Sequence, residues 1–265
     1  ILLSITAVCV GFQSPCLKYG IKRESSVRGV FVGARKKVCT AMFAKLDAVL
    51  FDCDGVLADT ERDAHRVSFN KAFREFGLRC CGHDMRWDVD IYGRLLETGG
   101  GKERMIRYWK EIGWEQGSWK LAQDIHTRKT SIFSDLIISG KIPLRPGVET
   151  LVDQILDSET KIAVCSTSNE RAVQQIVNLM GKQRASKIMI LAGDCVPQKK
   201  PSPDIYHEAV RRLQVVPNNC VVIEDSAIGL AAAKGANLAC VITKSTYTRD
   251  QDFRWADLVV EDLQS

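Results

Sequence analysis

The sequence predicts an α/β fold: a parallel sheet covered by helices on both faces, with a small all-helical block inserted after the first strand. Three observations carry this. First, after Pro143 short apolar runs at 161–165, 188–191, 220–223 and 238–242 alternate with helical patterns near 147–157, 169–180, 203–213 and 226–235. Strands that are apolar throughout are buried on both faces, as parallel strands are. Second, residues 45–51 form another such run, alone at the front, ending on Asp52-Cys53-Asp54-Gly55. Third, helical periods near 61–76, 88–97, 102–112 and 120–138 fill the interval with no convincing strand between 62 and 141. The expected organisation is therefore a core of 46–61 plus 145–265, a helical insert of 62–144, and a tail of 1–45 outside the fold.

The tail differs in composition from the rest. Residues 1–46 carry eight Lys and Arg against Glu24 alone, so of a formal net charge of +5 the remainder of the chain holds −2. A mildly acidic body offers no face for nucleic acid. The tail opens with an apolar stretch, 1–12, too short to cross a bilayer, and continues with serines and basic residues. That composition reads as an organelle transit peptide with the chloroplast stroma as destination, against a secretory signal or a plain basic tail as alternatives. Without such a signal the protein is cytoplasmic. The expected partner is a small molecule, with no nucleic acid and no membrane, and the expected state a monomer. The ten cysteines form no disulfide framework or zinc spacing. Cys53, Cys165, Cys220 and Cys240 lie in apolar runs, where a reduced thiol acts as a small hydrophobe.

The chemistry concentrates at the predicted carboxyl ends of the strands. Side chains alternate along a strand, so Asp52 and Asp54 leave the first one on the same side, and Gly55 lets the backbone turn away. Two buried carboxylates are costly unless a cation or a shared proton compensates, which asks for a metal. Ser166, Thr167, Ser168 and Asn169 follow the next strand, Lys199-Lys200 the third, and Glu224-Asp225 the fourth. Each has a plain structural reading as a helix cap, a solvated loop or an acid at a helix start. Hydroxyls and free N–H groups at a helix start also bind phosphate oxygens. Together they line the edge where open α/β sheets bind ligands.

These four stations resemble the haloacid dehalogenase (HAD) superfamily of phosphohydrolases, over residues 47–260. The resemblance implies a Rossmann-like HAD core in which Asp52 attacks phosphorus and Asp54 serves as acid and then base. It implies Mg²⁺ held by Asp52, the Asp54 backbone carbonyl and Asp225, with Glu224 nearby. Ser166 and Thr167, with Ser168 and Asn169 beside them, would orient the phosphoryl group, and Lys200 would balance its charge. Thr60–Arg66, Tyr92, residues 99–105, 125–130 and 144–147, and Glu224–Leu230 look like the CbbY group. That narrower likeness implies a plastid or bacterial phosphatase of xylulose-1,5-bisphosphate. In the cap, Gly100, Gly101, Lys102, Arg104, His126 and Lys129 would then meet the second phosphate and Glu61 the sugar hydroxyls, with His65 and Tyr92 as further contacts. The plain readings are a solvated helical turn for Lys102–Arg104 and an acid opening a helix for Glu61. His65 stands one residue later after Asp54 than in commoner relatives, a shift shared with plant CbbY-like sequences. Two rivals remain on the same residues: a β-phosphoglucomutase-like phosphotransferase, and a non-catalytic binding protein that keeps the fold.

Overall fold

The computed structural model describes residues 46–98 and 100–264, so the transit-peptide reading of the tail, with Gly99, lies outside the described residues. Strand β1 (Ala48–Phe51) shows how the sheet is made. Its four residues are fully buried, Ala48 and Leu50 in one apolar cluster and Val49 and Phe51 in another on the opposite face. A strand sandwiched in this way has no polar face, which is why its sequence shows no alternation.

A single π-turn, Glu61–His65, runs into α1 (Arg66–Glu75). A two-stranded ribbon follows, β2 (Arg79–Cys80) against β3 (His83–Asp84). Then come α2 (Val89–Leu95), α3 (Gly101–Glu111) and α4 (Trp119–Ile138), before α5 (Val148–Asp157) leads to β4 (Lys161–Cys165). Helices α6 (Glu170–Asn178) and α7 (Lys182–Ala185) precede β5 (Ile188–Leu191). The chain closes with α8 (Asp204–Leu213), β6 (Cys220–Glu224), α9 (Ala227–Gly235), β7 (Ala239–Thr243) and β8 (Leu258–Val260).

The other six strands form one parallel sheet in the order β5-β4-β1-β6-β7-β8. Helices α5 and α6 cover one face through Leu151, Val152, Ile155, Val173 and Ile176. Helices α8 and α9 cover the other through Ile205, Tyr206, Ala209, Leu230 and Ala233. The α/β class is as the sequence predicts, but the all-helical reading of 62–144 needs correction. The ribbon of β2 and β3 sits within it, too short to leave a strand period. Strand β8 and helix α7 are also additions.

Helices α1 to α4 gather around an apolar cluster of their own. Phe69, Phe73, Trp87, Tyr92, Met105, Trp109 and Ile125 are buried in it, and the rings of Phe69 and Phe73 lie 4.8 and 4.9 Å from that of Trp87. Phe69, Phe73, Trp87 and Tyr92 pack ring against ring and give this block an apolar cluster distinct from the two on the sheet faces. Among the described residues no helix is long and apolar enough to cross a membrane.

Arg145 ties the return from that block to the sheet. Its backbone N–H donates to the Leu57 carbonyl at 2.8 Å. Its guanidinium donates to the carbonyls of Gly55, of Thr243 (3.3 Å), of Lys244 (2.5 Å) and of Glu261 (3.3 Å). One planar fork thus joins the turn after β1 to the ends of β7 and β8, a geometry that a lysine does not reproduce. Arg145→Ala leaves these carbonyls short of donors and is expected to lower stability by about 2–3 kcal/mol in urea unfolding. Arg145→Lys should recover only part of the loss; full recovery would show that charge alone matters there.

Candidate active site

Gly55 sets the geometry of the first station. It has φ +87°, and a Cβ there would lie 2.0 Å from Asp225 Oδ2. With Gly55 N–H bonded to the Ala58 carbonyl at 2.8 Å, the chain folds back tightly after β1 and brings Asp52 and Asp54 over the sheet end.

Lys200 reaches Asp52 from the loop after β5. Its Nζ donates to Asp52 Oδ1 at 2.6 Å, to Glu224 Oε1 at 2.6 Å and to the Cys165 carbonyl at 2.9 Å. All three donor positions of the ammonium are therefore used, and its charge lies 5.1 Å from the Tyr206 ring centre. Burial alone would drive the Lys200 pKa down, but the Asp52 and Glu224 charges outweigh it and hold the group above the usual lysine range. Burial raises the Asp52 pKa; Lys200 opposes this, and the charges of Glu224, Asp225 and Asp54 add to it.

Glu224 ends β6 and is wholly enclosed. Oε1 accepts from Lys200 and from the Tyr206 hydroxyl at 2.8 Å, while Oε2 accepts from the Asp225 N–H at 3.1 Å and the Ser226 hydroxyl at 3.2 Å. A Cβ on Gly229 would meet its carboxylate at 1.9 Å, so α9 starts close behind the acid only because that position is glycine. Asp225 Oδ2 accepts from the Thr248 hydroxyl at 3.3 Å. Burial and the Glu224 charge push the Asp225 carboxyl up to about 7.

Asp52, Glu224 and Asp225 have oxygens within 4.8 Å of one another. A buried set of hard oxygen donors with more negative charge than Lys200 offsets is the chemistry that Mg²⁺ selects. The residues fit that ion.

Asp54 is held in a hydroxyl cluster. Its Oδ1 accepts from Thr60 at 2.5 Å, and its Oδ2 from Ser168 at 2.6 Å and Ser166 at 3.3 Å. Thr167 is half-buried between the two serines. Asn169 caps α6, accepting from the Arg171 N–H at 3.0 Å, so its plain structural reading is realised.

A cavity of about 560 Å³ opens beside Asp54, Ser168 and Asn169, with His65, His126 and Lys129 of the helical block on its other wall. Lys129 Nζ lies 2.6 Å from His65 Nδ1, and the His65 ring stacks on Phe133 at 4.1 Å. Burial first, and then the Lys129 charge, lower the His65 pKa to about 3. Burial lowers that of Lys129 to about 8 and, followed by the Lys129 charge, that of His126.

A second group is bound together through Tyr92. Its hydroxyl donates to Glu61 Oε2 at 2.6 Å and accepts from Arg104 Nη1 at 3.3 Å. Arg104 Nε is anchored on the Thr98 carbonyl at 2.9 Å. Gly101 packs where a Cβ would meet His126 at 2.7 Å and Phe69 at 2.9 Å, and Gly100 has φ +88° at the start of α3. Lys102 stands apart: its ammonium lies 5.2 Å over the Trp119 ring.

Sequence reasoning passed over Tyr206 and Thr248, and quoted Thr60 and Arg145 only within stretches that carry the resemblance, with no role assigned. Tyr206 sits at an inward position of an amphipathic helix and reads as core. The others act through contacts between segments far apart in the chain, which no local spacing reveals.

Comparison with known proteins agrees with this arrangement. The family model for haloacid dehalogenase-like hydrolases matches residues 46–237. A CBBY-like protein of Arabidopsis thaliana is 51% identical over 249 residues, covering 91% of this chain and 75% of that protein. Protein CbbY of Rhodobacter capsulatus is 40% identical over 223 residues, covering 83% and 95%. CbbY of Rhodobacter sphaeroides, solved with phosphate and, as an Asp-to-Asn mutant, with xylulose-1,5-bisphosphate, superposes with a TM-score of 0.66. It is 38% identical, covering 82% of this chain and 95% of its own. A parallel sheet with acids at its carboxyl edge, a family match over most of the chain and CbbY relatives at these identities lead to one assignment: the chain belongs to the haloacid dehalogenase-like hydrolases, as a CbbY-like phosphatase.

Proposed function

We propose that this phosphatase is Mg²⁺-dependent, hydrolyses a small sugar bisphosphate, with xylulose-1,5-bisphosphate as its substrate, and works as a monomer in the plastid stroma. The observation that carries the substrate class is the cavity, with the Asp54 carboxylate and the Ser168 hydroxyl at one wall and His126 and Lys129 at the other. A relative 38% identical was solved with xylulose-1,5-bisphosphate, which supports the choice within that class. The plastid assignment rests on the basic, acid-poor tail and on the likeness to a plant CbbY-like protein.

Residues 62–144 act as a cap over the core of 46–61 and 145–265. The Asp52 carboxylate attacks phosphorus, the bond to the sugar oxygen breaks, and a phospho-aspartate forms. Asp54, aimed by Thr60, Ser166 and Ser168, gives its proton to the departing alkoxide. It then takes a proton from the water that attacks phosphorus, and this attack frees Asp52 and inorganic phosphate. Lys200 holds Asp52 in place and places positive charge beside the transferring group. Thr167 adds a hydroxyl, and Asn169 keeps the start of α6 turned toward the phosphoryl oxygens. Asp52, the Asp54 carbonyl and Asp225 would hold Mg²⁺, with Glu224 behind them, and the ion would neutralise charge between anionic nucleophile and anionic phosphate.

On the cap side, Lys129 and His126, with Arg104, Lys102 and the N–H groups at Gly100–Gly101, receive the second phosphate. Glu61, positioned by Tyr92, accepts from sugar hydroxyls, and His65 keeps Lys129 aimed into the cavity. The likeness to a β-phosphoglucomutase of Clostridium difficile, at 23% identity and a TM-score of 0.58, speaks to the fold alone.

Against a panel of sugar mono- and bisphosphates with Mg²⁺, xylulose-1,5-bisphosphate is expected to be turned over best. Asp52→Asn should lower kcat by about 10⁴-fold or more. A monophosphate preference would sink the cap assignment, and activity surviving in Asp52→Asn would sink the nucleophile.

The pH profile offers a separate check on Lys129. Its pKa of about 8 means that charge is lost as pH rises through that value, so kcat/KM for the bisphosphate should fall above about pH 8. In Lys129→Arg, which stays charged, that limb should disappear; an unchanged limb assigns it elsewhere.

A further inference from the structure

Two buried polar atoms stand without a hydrogen bond where the helical block meets the loop after β7. One is Nε of Arg66, the first residue of α1, and the other is the hydroxyl oxygen of Tyr247. Each such atom has lost its water and gained nothing in return, so orphans of this kind are rare. These two are neighbours. Burial pushes the Tyr247 pKa up to about 12, and the Arg66 charge pulls it down. The guanidinium therefore lies within reach of the phenol oxygen, but without the alignment of a hydrogen bond. Among the described residues the one hydrogen bond from the Arg66 side chain is long, 3.4 Å from Nη1 to the Trp87 carbonyl.

Tyr247 sits in a segment tied to both sides of this seam. Its ring packs on α2, 5.6 Å from that of Tyr92, and a Cβ on Gly93 would meet it at 3.1 Å. Before it, the Thr246 hydroxyl donates to Asp59 and accepts from Arg62 Nη1 at 3.4 Å, where the chain enters the helical block. After it, Thr248 donates to Asp225 Oδ2 at 3.3 Å and lies 2.8 Å from the Ser245 hydroxyl. A side chain that meets the cap is thus carried by the loop that holds an acid of the sheet edge.

We propose that Arg66 and Tyr247 are positioning residues for the phosphatase reaction: a small shift of the cap onto the sheet edge brings the Arg66 guanidinium into a hydrogen bond with the Tyr247 hydroxyl, and that bond holds Glu61, through Tyr92, in register with Asp225 while substrate is bound. This rests on the reading of residues 62–144 as a cap, and not on which phosphate ester is hydrolysed. In the free enzyme the bond is unmade, so removing it costs no stability. It counts only when the site is occupied, and activity and stability should therefore part company.

Tyr247→Phe keeps the ring against Tyr92 and removes the hydroxyl alone. Urea unfolding of the free enzyme should be unchanged or shifted to slightly higher urea. On whichever sugar phosphate the wild type turns over best, kcat/KM should fall about tenfold, the worth of a hydrogen bond to a charged group. Arg66→Met should cause a similar loss, the double variant should lose no more than either, and Arg66→Lys should recover part. In an Asp52→Asn background, the same ester should slow hydrogen exchange at 61–66 and 245–248, and Tyr247→Phe should weaken that protection. Exchange unaffected by the ester in Asp52→Asn would sink the cap reading itself. With that protection present, an unchanged kcat/KM in Tyr247→Phe, or losses that add in the double variant, would overturn the pairing. Stability falling in step with activity would overturn it as well, since the hydroxyl would then be satisfied before substrate binds.

Discussion

With Asp52, Glu224 and Asp225 gathered at the carboxyl edge of the sheet, the Lys200 ammonium sits 2.6 Å from each of the first two, and much else follows from that placement. A cation so enclosed is stable only with its charge and all its donors matched, here by two carboxylates and the Cys165 carbonyl. The same contacts fix the Asp52 carboxylate in one orientation before any substrate arrives, so that little reorganisation is left for the reaction. Glu224 supports Lys200 from behind, and its own position depends on Tyr206, Ser226 and the missing side chain at Gly229.

The helical block presents its polar groups in a different way. Tyr92 is buried in an aromatic cluster, yet its hydroxyl reaches Glu61 and Arg104. The ring of Tyr247, from the loop after β7, packs against it at 5.6 Å, and Thr248 of the same loop donates to Asp225. One short segment therefore touches both the acids at the sheet edge and the tyrosine that holds Glu61. Packing in the block and geometry at the sheet are linked through it.

The parallel sheet was legible because each long strand is apolar on both faces, and the helices between them fell within a residue or two of their expected bounds. The four strand ends were legible because acids, hydroxyls and lysine followed apolar runs at fixed places. The ribbon at Arg79–Asp84 and strand β8 were not, since two or three half-exposed residues carry no period. Arg145 stood out only as part of the 144–147 stretch; its role comes from carbonyls at Gly55, Thr243, Lys244 and Glu261, which only folding brings together. The placing of the Lys102 charge over the Trp119 ring is another contact between separate segments that no local spacing reveals.

The π-turn at Glu61–His65 sets how the chain leaves the first strand end for the helical block. The Arg66 N–H bonds to the Glu61 carbonyl, so five residues occupy a turn that ordinarily takes fewer. An insertion absorbed as a wider turn needs no new loop and leaves the helix beyond it in phase. From that turn His65 meets Lys129 and Phe133. A turn of this width is thus a place at the mouth of the site where one residue of chain length can be taken up while the helix beyond keeps its facing.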